Sequence, residues 1–407
     1  MKVFHARWVL PISHPPIADG WVAVENGLIV AVGGPNDHPP DGQMDKWSDG
    51  QMDRWPNGPM AILPGLVNAH THLELSWMRG RVAPAPCMPQ WVERLMALRR
   101  SVGHEPPEPI HDAIREARSA GTSLIGDITN TLASYEPLAD SELAAAIFHE
   151  LLGFNVADPV SIVAQAQARL DALMPIAWLR ASIVPHAPYS VSAALLREIG
   201  HAAATDRPVS IHLGECAEEV EFLRDGGGAW HRLLNELGVW TDAWVPPASS
   251  PVDYIEDSGL LDERLLAVHG VHLTDADLQK LAAVGATVVT CPRSNRWTGA
   301  GVPPIERFYA SGVRVAVGTD SLASVEDLNL FTELAIMREL APAVGSGALL
   351  ESATKHGAAA LGFGSELGTI EPRKRAELIA VRLPPGLEDV EEYLVGGIEP
   401  SQIRWLG

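Results

Sequence analysis

Two histidines separated by one residue, His70 and His72, close an apolar run that begins at Leu63. In a β-strand, side chains at positions i and i+2 point to the same face, so both imidazoles aim at one point from one strand end. Imidazole is a common protein ligand for zinc and similar divalent ions. The pair alone is compatible with a metal site or with an edge strand that carries two solvated histidines. Residues elsewhere in the chain distinguish these two alternatives.

Three further strand-like runs end in residues that bind metals or transfer protons. These residues are His212, His269 and Asp320, and Glu215 follows His212 after three positions. A carboxylate together with imidazoles is typical of zinc or ferrous iron sites that keep an open position for water. Taken singly, His212 or His269 could be a buried histidine of the barrel, and Asp320 could be a helix N-cap. The convergence of four strand ends favours a metal site.

The elements that must position these residues form a regular alternation from residue 62 to about residue 365. Eight short apolar runs end, in chain order, at His72, Asp127, Glu150, His186, His212, His269, Cys291 and Asp320. Amphipathic segments such as Val191–Ala204 and Thr274–Val284 separate them, with Thr274 as a predicted helix N-cap. Eight βα units predict an α/β protein with a (β/α)₈ TIM-type barrel. The active site of such a barrel lies at the carboxyl ends of its strands.

Both ends of the chain have β character. The segment Trp21–Val32 contains two β-rich runs around Asn26-Gly27, which predicts a hairpin, and Ala376–Val381 predicts a short buried strand. We expect the tail strand to pair with the hairpin. The predicted domains are a composite β-sandwich of residues 1–61 and 366–407, and a metal-dependent hydrolase barrel of residues 62–365.

A near-duplication lies between these two parts. Residues 41–47 are almost repeated in residues 49–55. Two copies are too few for a repeat architecture. We interpret the 41–55 segment as a polar surface loop that carries no chemistry.

Composition narrows the classes of partner. The 407 residues carry a formal net charge of −21, which argues against nucleic acid or an anionic membrane as a partner and leaves a small-molecule substrate. Three cysteines without CxxC spacing argue against a disulfide scaffold. With neither a signal-peptide pattern nor an 18-residue apolar stretch, we expect a cytoplasmic protein. A homodimer is compatible with the sequence, which does not give the oligomeric state.

The motifs together resemble the amidohydrolase superfamily. The matching segments are Pro64–His72, His212–Glu215, Val268–Leu273 and Gly318–Ser321, and the resemblance covers nearly the whole chain. Binuclear members of that family carry a bridging lysine on strand 4. Here strand 4 ends in His186-Ala187-Pro188-Tyr189 without a lysine. The sequence therefore resembles the mononuclear branch, which contains deaminases and triazine hydrolases.

That resemblance implies four ligands for one divalent ion per chain, Zn²⁺ or else Fe²⁺: His70, His72, His212 and Asp320. The ion would lower the pKa of its water to about 7 and so supply hydroxide at neutral pH. His269 would hydrogen-bond this water, and Asp320 would take its proton. Glu215 would protonate a ring nitrogen and then the departing ammonia. The alternative for Glu215 is a surface carboxylate that opens the next helix.

Five residues are substrate-binding candidates: Glu74, Trp91, His186, Tyr189 and Arg293. His186 and Tyr189 end strand 4 in a segment that lines the pocket of relatives. Glu74 would hold a pair of hydroxyl groups if the first strand continues past the histidines. Trp91 would stack on a ring, although helix core is the favoured interpretation. Arg293 would pair with a carboxylate, with a solvated loop arginine as an equal alternative.

The implied activity is metal-dependent hydrolytic deamination of an aminated heteroaromatic ring. Segments His72–Ser76, Cys291–Asn295 and Val317–Ser324 resemble the aminodeoxyfutalosine deaminases of the alternative menaquinone route. This resemblance predicts a 6-aminopurine nucleoside derivative that bears a carboxylate, and adenosyl-type substrates are the natural rival. Two further hypotheses stay open: a triazine-type chlorohydrolase or N-alkylamino hydrolase, and a catalytically inactive metal-binding protein.

Overall fold

The computed structural model describes residues 1–39, 59–102, 106, 108–203 and 206–406, so the duplicated 41–55 segment lies outside the described residues. The strands in this part are β1 Lys2–Val9, β2 Ile17–Glu25, β3 Leu28–Gly33, β4 Met60–Pro64, β5 Leu66–Thr71, β6 Thr122–Thr129, β7 Ala144–Leu151, β8 Leu179–Pro185, β9 Val209–Leu213, β10 Leu265–His269, β11 Thr287–Thr290, β12 Arg314–Val317, β13 Leu378–Arg382 and β14 Ile403–Leu406.

The helices are α1 Met88–Val102, α2 Glu108–Ser119, α3 Tyr135–Ala139, α4 Pro159–Asp171, α5 Ala193–Ala202, α6 Ala217–Asp225, α7 Gly228–Glu236, α8 Pro251–Glu256, α9 Asp275–Ala283, α10 Pro292–Thr298, α11 Ile305–Ser311, α12 Leu330–Leu340, α13 Ser346–Ser352, α14 Lys355–Ala360 and α15 Val390–Val395. Short 3₁₀ turns occupy Leu73–Met78 and Pro400–Gln402. Within the described ranges, every helix is too short or too polar to cross a bilayer.

Strands β5 to β12 form the predicted barrel. They are parallel and hydrogen-bonded in two runs, β5-β6-β7-β8 and β9-β10-β11-β12. Backbone bonds join the runs on both sides: the His212 amide donates to the His186 carbonyl at 2.9 Å, and the Asp320 amide donates to the His70 carbonyl at 3.0 Å. The prediction of a (β/α)₈ barrel is confirmed, and the bonds that close it involve the predicted site residues.

Local sequence explains the strands and helix starts of the barrel. Strands β6 and β7 are buried along their whole length, as parallel strands covered by helices require. The predicted N-cap at Thr274 is present at the start of α9. Its side chain accepts from the Asp277 amide, and the Asp277 side chain accepts from the Thr274 amide, which forms a capping box.

The two chain ends build a small six-stranded sheet in the order β14-β13-β4-β1-β2-β3. The predicted hairpin is present, with positive φ angles of 52° at Asn26 and 75° at Gly27. The prediction that the tail strand pairs with the hairpin strands is wrong, because β13 pairs antiparallel with β4. The reason is the position of β4, which pairs with β1 and so lies between the hairpin and the tail. An isolated bridge from Leu28 to Arg375 adds a contact with the hairpin.

Gly65 is the point at which the chain passes from the small sheet into the barrel. A Cβ atom on Gly65 would lie 2.6 Å from the Ser123 Cβ and 2.8 Å from the Trp405 ring, so glycine is required by close packing. The apolar run from Leu63 to His72 is divided between two strands, β4 in the small sheet and β5 in the barrel. The predicted boundary at residue 62 falls inside β4, and the division into domains stays a prediction.

Candidate metal centre and active site

Five ionisable side chains meet at the carboxyl ends of the barrel strands: His70, His72, His212, His269 and Asp320. The ring centroids of His72 and His212 each lie 5.0 Å from the centroid of His70. Asp320 Oδ1 lies 3.5 Å from Nε2 of His72 and 3.9 Å from Nε2 of His70. Ligand atoms of His70, His72 and Asp320 lie within 4.8 Å of one another, and so do those of His70, His212 and His269. The structure thus brings together the residues predicted as ligands.

The donor set fits a divalent metal ion. Both ring nitrogens of His70 are buried without a hydrogen-bond partner among the described residues, an arrangement that is costly unless a ligand satisfies them. Burial, with His186 next in importance, lowers the pKa of His72 to about 3 and that of His212 to about 4. These imidazoles are neutral at physiological pH and offer lone pairs, as metal ligands must.

His212 is oriented by its second nitrogen. Nδ1 donates to the His186 carbonyl at 2.9 Å and lies 3.5 Å from Oε1 of Glu150, so Nε2 is left to face the cluster. Asn130 donates to Oε2 of Glu150 at 2.9 Å. Burial raises the pKa of Glu150 to about 7. The sequence marks Glu150 as a strand end but gives no signal for this supporting role.

Asp320 is held by the loops around it. Ser294 Oγ donates to Oδ2 at 2.5 Å, and the Ser321 amide donates to Oδ1 at 2.7 Å. The residue has a φ of +60°, a left-handed conformation that side chains other than glycine adopt at a cost. Gly318 clears space for the first ligand, because a Cβ there would lie 2.7 Å from the His70 carbonyl oxygen and 2.8 Å from its Cβ. The sequence carries no signal for these roles of Ser294 and Gly318.

Glu215 and His269 form a buried pair beside the metal ligands. Oε1 of Glu215 lies 3.3 Å from Nε2 of His269, and Oε2 is buried with no partner in the described part of the chain. Burial raises the pKa of Glu215 well above its ordinary value, which favours the acid form at neutral pH. Nδ2 of Asn295 lies 3.0 Å from Nδ1 of His269, and Nε2 of His269 is buried without a hydrogen-bond partner among the described residues. The alternative of a surface carboxylate at Glu215 is wrong, since the side chain is buried.

His186 and Tyr189 lie next to the cluster. The His186 ring centroid is 4.8 Å from that of His212, and its Nδ1 is 2.6 Å from the Ser190 hydroxyl. Tyr189 is buried and stacks on Trp230 at 3.8 Å. Its hydroxyl is buried without a partner within the described ranges. Both residues are placed where the substrate-binding prediction needs them, and that role stays a prediction.

Glu74 and Trp91 are placed differently from the substrate-binding prediction. The strand stops before Glu74, whose carboxylate accepts from Thr129 Oγ1, the Asn130 amide and both the amide and hydroxyl of Thr131, at 2.7–3.2 Å. Glu74 therefore fixes the loop after β6, and its hydroxyl-binding role stays a prediction, since Oε1 accepts a single bond among the described residues. Trp91 packs with Leu95 in a buried cluster, as the helix-core interpretation predicts.

Arg293 is engaged inside the protein. Its Nε donates to Glu333 at 2.7 Å, and its two terminal nitrogens donate to the side chain and carbonyl of Asp327, both at 2.9 Å. Its donors are used by buried or half-buried acceptors, so we withdraw Arg293 as the carboxylate-binding residue. After burial and His186, the charge of Arg99 on α1 also lowers the pKa of His72.

The fold and the site together define a metal-dependent hydrolase built on a (β/α)₈ barrel. The amidohydrolase family model matches residues 61–399. Aminodeoxyfutalosine deaminase from Deinococcus radiodurans is 33% identical over 312 residues, 74% of this chain and 73% of that protein. The 5-methylthioadenosine/S-adenosylhomocysteine deaminase of Haloarcula marismortui is 30% identical over 413 residues, 95% of this chain and 86% of that protein.

A solved structure agrees with the sequence relatives. An adenosine deaminase from Xanthomonas campestris with bound zinc superposes with a TM-score of 0.79 at 28% identity, covering 99% of this chain and 90% of that one. The chain belongs to the amidohydrolase family and is a hydrolase that acts on carbon–nitrogen bonds.

Proposed function

We propose that the protein is a hydrolytic deaminase that replaces the exocyclic amino group of a 6-aminopurine nucleoside derivative with oxygen and releases ammonia. The observation that carries this proposal is the buried acid Glu215 paired with His269 beside the four predicted metal ligands. An amine leaves carbon readily only after protonation, so a deaminase needs a proton donor at this position. Aminodeoxyfutalosine is the substrate we favour, and the relative from Deinococcus radiodurans that bears this name supports it.

The predicted ligands His70, His72, His212 and Asp320 would hold one divalent ion, and zinc in the structural relative supports zinc here. When bound, such an ion lowers the pKa of a bound water to about 7. Asp320 takes the first proton of the attacking water. Glu215 gives its own proton to the purine ring nitrogen, receives the first water proton from Asp320 and delivers it to the departing amine. The second water proton, on the new C6 hydroxyl group, returns to Glu215 as the 6-oxopurine forms and ammonia leaves. His269, whose Nε2 lies 3.3 Å from Oε1 of Glu215, keeps its predicted role as a hydrogen-bond partner of the attacking water.

The substituent of the nucleoside is the finer part of the proposal. Aminodeoxyfutalosine carries a carboxylate. Arg293, its predicted partner, is engaged with Glu333 and Asp327. The name of the Deinococcus radiodurans relative therefore carries this part of the proposal.

The test compares kcat/KM, measured as ammonia release, on aminodeoxyfutalosine, methylthioadenosine, adenosylhomocysteine and adenosine, with and without chelator. We expect turnover of the 6-aminopurines, highest on aminodeoxyfutalosine, and loss of turnover with chelator. Activity on an aminotriazine, a chlorotriazine, cytosine or guanine without activity on any of the four nucleosides would overturn the substrate assignment. Highest activity on methylthioadenosine would overturn only the proposal that the substrate bears a carboxylate.

A further inference from the structure

We infer that Glu219 is a positioning residue that fixes the loop carrying Glu215; this inference rests on the proposed role of Glu215 as proton donor. The Glu219 side chain is fully buried in the first turn of α6. One carboxylate oxygen accepts from the Gly214 amide at 2.9 Å, and the other accepts from the Glu215 amide at 3.0 Å. A single side chain therefore determines where the backbone of the proposed acid lies.

This contact differs from an ordinary helix cap. Glu219 is the third residue of α6, and in a capping box such a residue bonds the amide of the N-cap, here Cys216. The carboxylate passes over Cys216 and bonds the two preceding amides instead. These amides belong to the short segment that leads from the predicted ligand His212 to Glu215.

The same segment is held from its other side. The His272 amide donates to the Gly214 carbonyl at 2.8 Å. Gly214 has a φ of +60°, and a Cβ on it would lie 2.5 Å from Cδ2 of Leu273, so only glycine allows this close approach of the loop to Leu273. With its peptide groups held from both sides, the loop presents Glu215 in one orientation before substrate binds. Displacement of a proton donor by about 1 Å lowers the reaction rate about 10²-fold, so a loop held in one position favours catalysis.

The test uses Glu219→Gln and Glu219→Ala, with Glu218→Gln on the same helix turn as the matched control. An amide side chain has one acceptor oxygen, so Glu219→Gln keeps at most one of the two bonds. We expect kcat to fall about 10- to 100-fold in Glu219→Ala and less in Glu219→Gln, with KM within about twofold of wild type and metal content unchanged. The control should keep wild-type kcat.

Hydrogen exchange gives a second measurement that needs no substrate. In Glu219→Gln, the Gly214 and Glu215 amides should exchange at least tenfold faster, while amides of the barrel strands keep their protection. The inference would be overturned if Glu219→Gln kept both wild-type kcat and wild-type exchange at these two amides. If Glu219→Ala fails to fold, Glu219→Gln alone provides the test. Failure of the proposed function has a different signature: Glu215→Gln itself would then retain wild-type turnover.

Discussion

Nε2 of His269 lies 3.3 Å from Oε1 of Glu215, and both side chains are buried. Nδ2 of Asn295 lies 3.0 Å from the other nitrogen of His269. Nε2 of His269 and Oε2 of Glu215 are both buried without a hydrogen-bond partner among the described residues. The pair therefore presents two unsatisfied polar atoms at the position proposed for proton transfer.

Glu215→Gln tests the proposed proton transfer. The amide keeps the shape of the side chain but cannot deliver a proton, so we expect kcat to fall by about 10²–10⁴ with the metal retained. Because burial raises the pKa of Glu215, the acid form persists to neutral pH and activity should fall as rising pH removes the proton. That alkaline decline should be absent in the residual activity of the variant. Near-normal turnover of Glu215→Gln, measured against Glu218→Gln, would remove Glu215 from the mechanism.

Removal of the metal tests the predicted ligand set. Elemental analysis of protein purified without added metal should give close to one divalent ion per chain, and chelation should abolish ammonia release, with recovery on adding zinc. Asp320→Asn weakens a charged ligand and should lower both occupancy and kcat. A reproducible content of two ions with activity following the second would contradict the mononuclear prediction.

The barrel and the predicted ligands were accessible from the sequence because their signals are local. Apolar runs ending in His70 and His72, in His212 or in His269 are read directly from the chain. The supporting contacts are long-range. Asn295 meets His269 from another βα unit, and a motif cannot show which side chain reaches which partner.

The internal partners of Glu74 and Arg293 could not be predicted for the same physical reason. A glutamate two positions after a ligand or an arginine in a loop can face a ligand or an internal partner, and only the fold shows which. Glu74 meets the loop after β6, and Arg293 meets Glu333. The tail strand likewise paired with β4, because sheet order depends on contacts that periodicity does not encode.

Gly318→Ala should damage the metal centre without changing any ligand. The new methyl group would lie 2.7–2.9 Å from backbone and Cβ atoms of His70, so the β5 backbone must shift. We expect a loss of about 1–3 kcal/mol in the free energy of unfolding, as for other overpacked sites, together with reduced metal occupancy. Thermal unfolding and elemental analysis measure the two effects. Gly345→Ala is the control, because a Cβ there meets no atom within 4 Å; equal behaviour of the two variants would contradict this packing argument.

Arg293→Met tests the structural ion pair of this guanidinium. Arg293→Met leaves the buried carboxylate of Glu333 without its cation and should lower the free energy of unfolding by about 3–5 kcal/mol.

Urea unfolding and steady-state kinetics on aminodeoxyfutalosine and methylthioadenosine measure these effects. A rise in KM for aminodeoxyfutalosine alone, in an Arg293→Met protein as stable as wild type, would return the carboxylate-binding role to Arg293. The two measurements separate the roles because an internal ion pair changes stability, whereas a substrate ion pair changes the KM of the charged substrate alone.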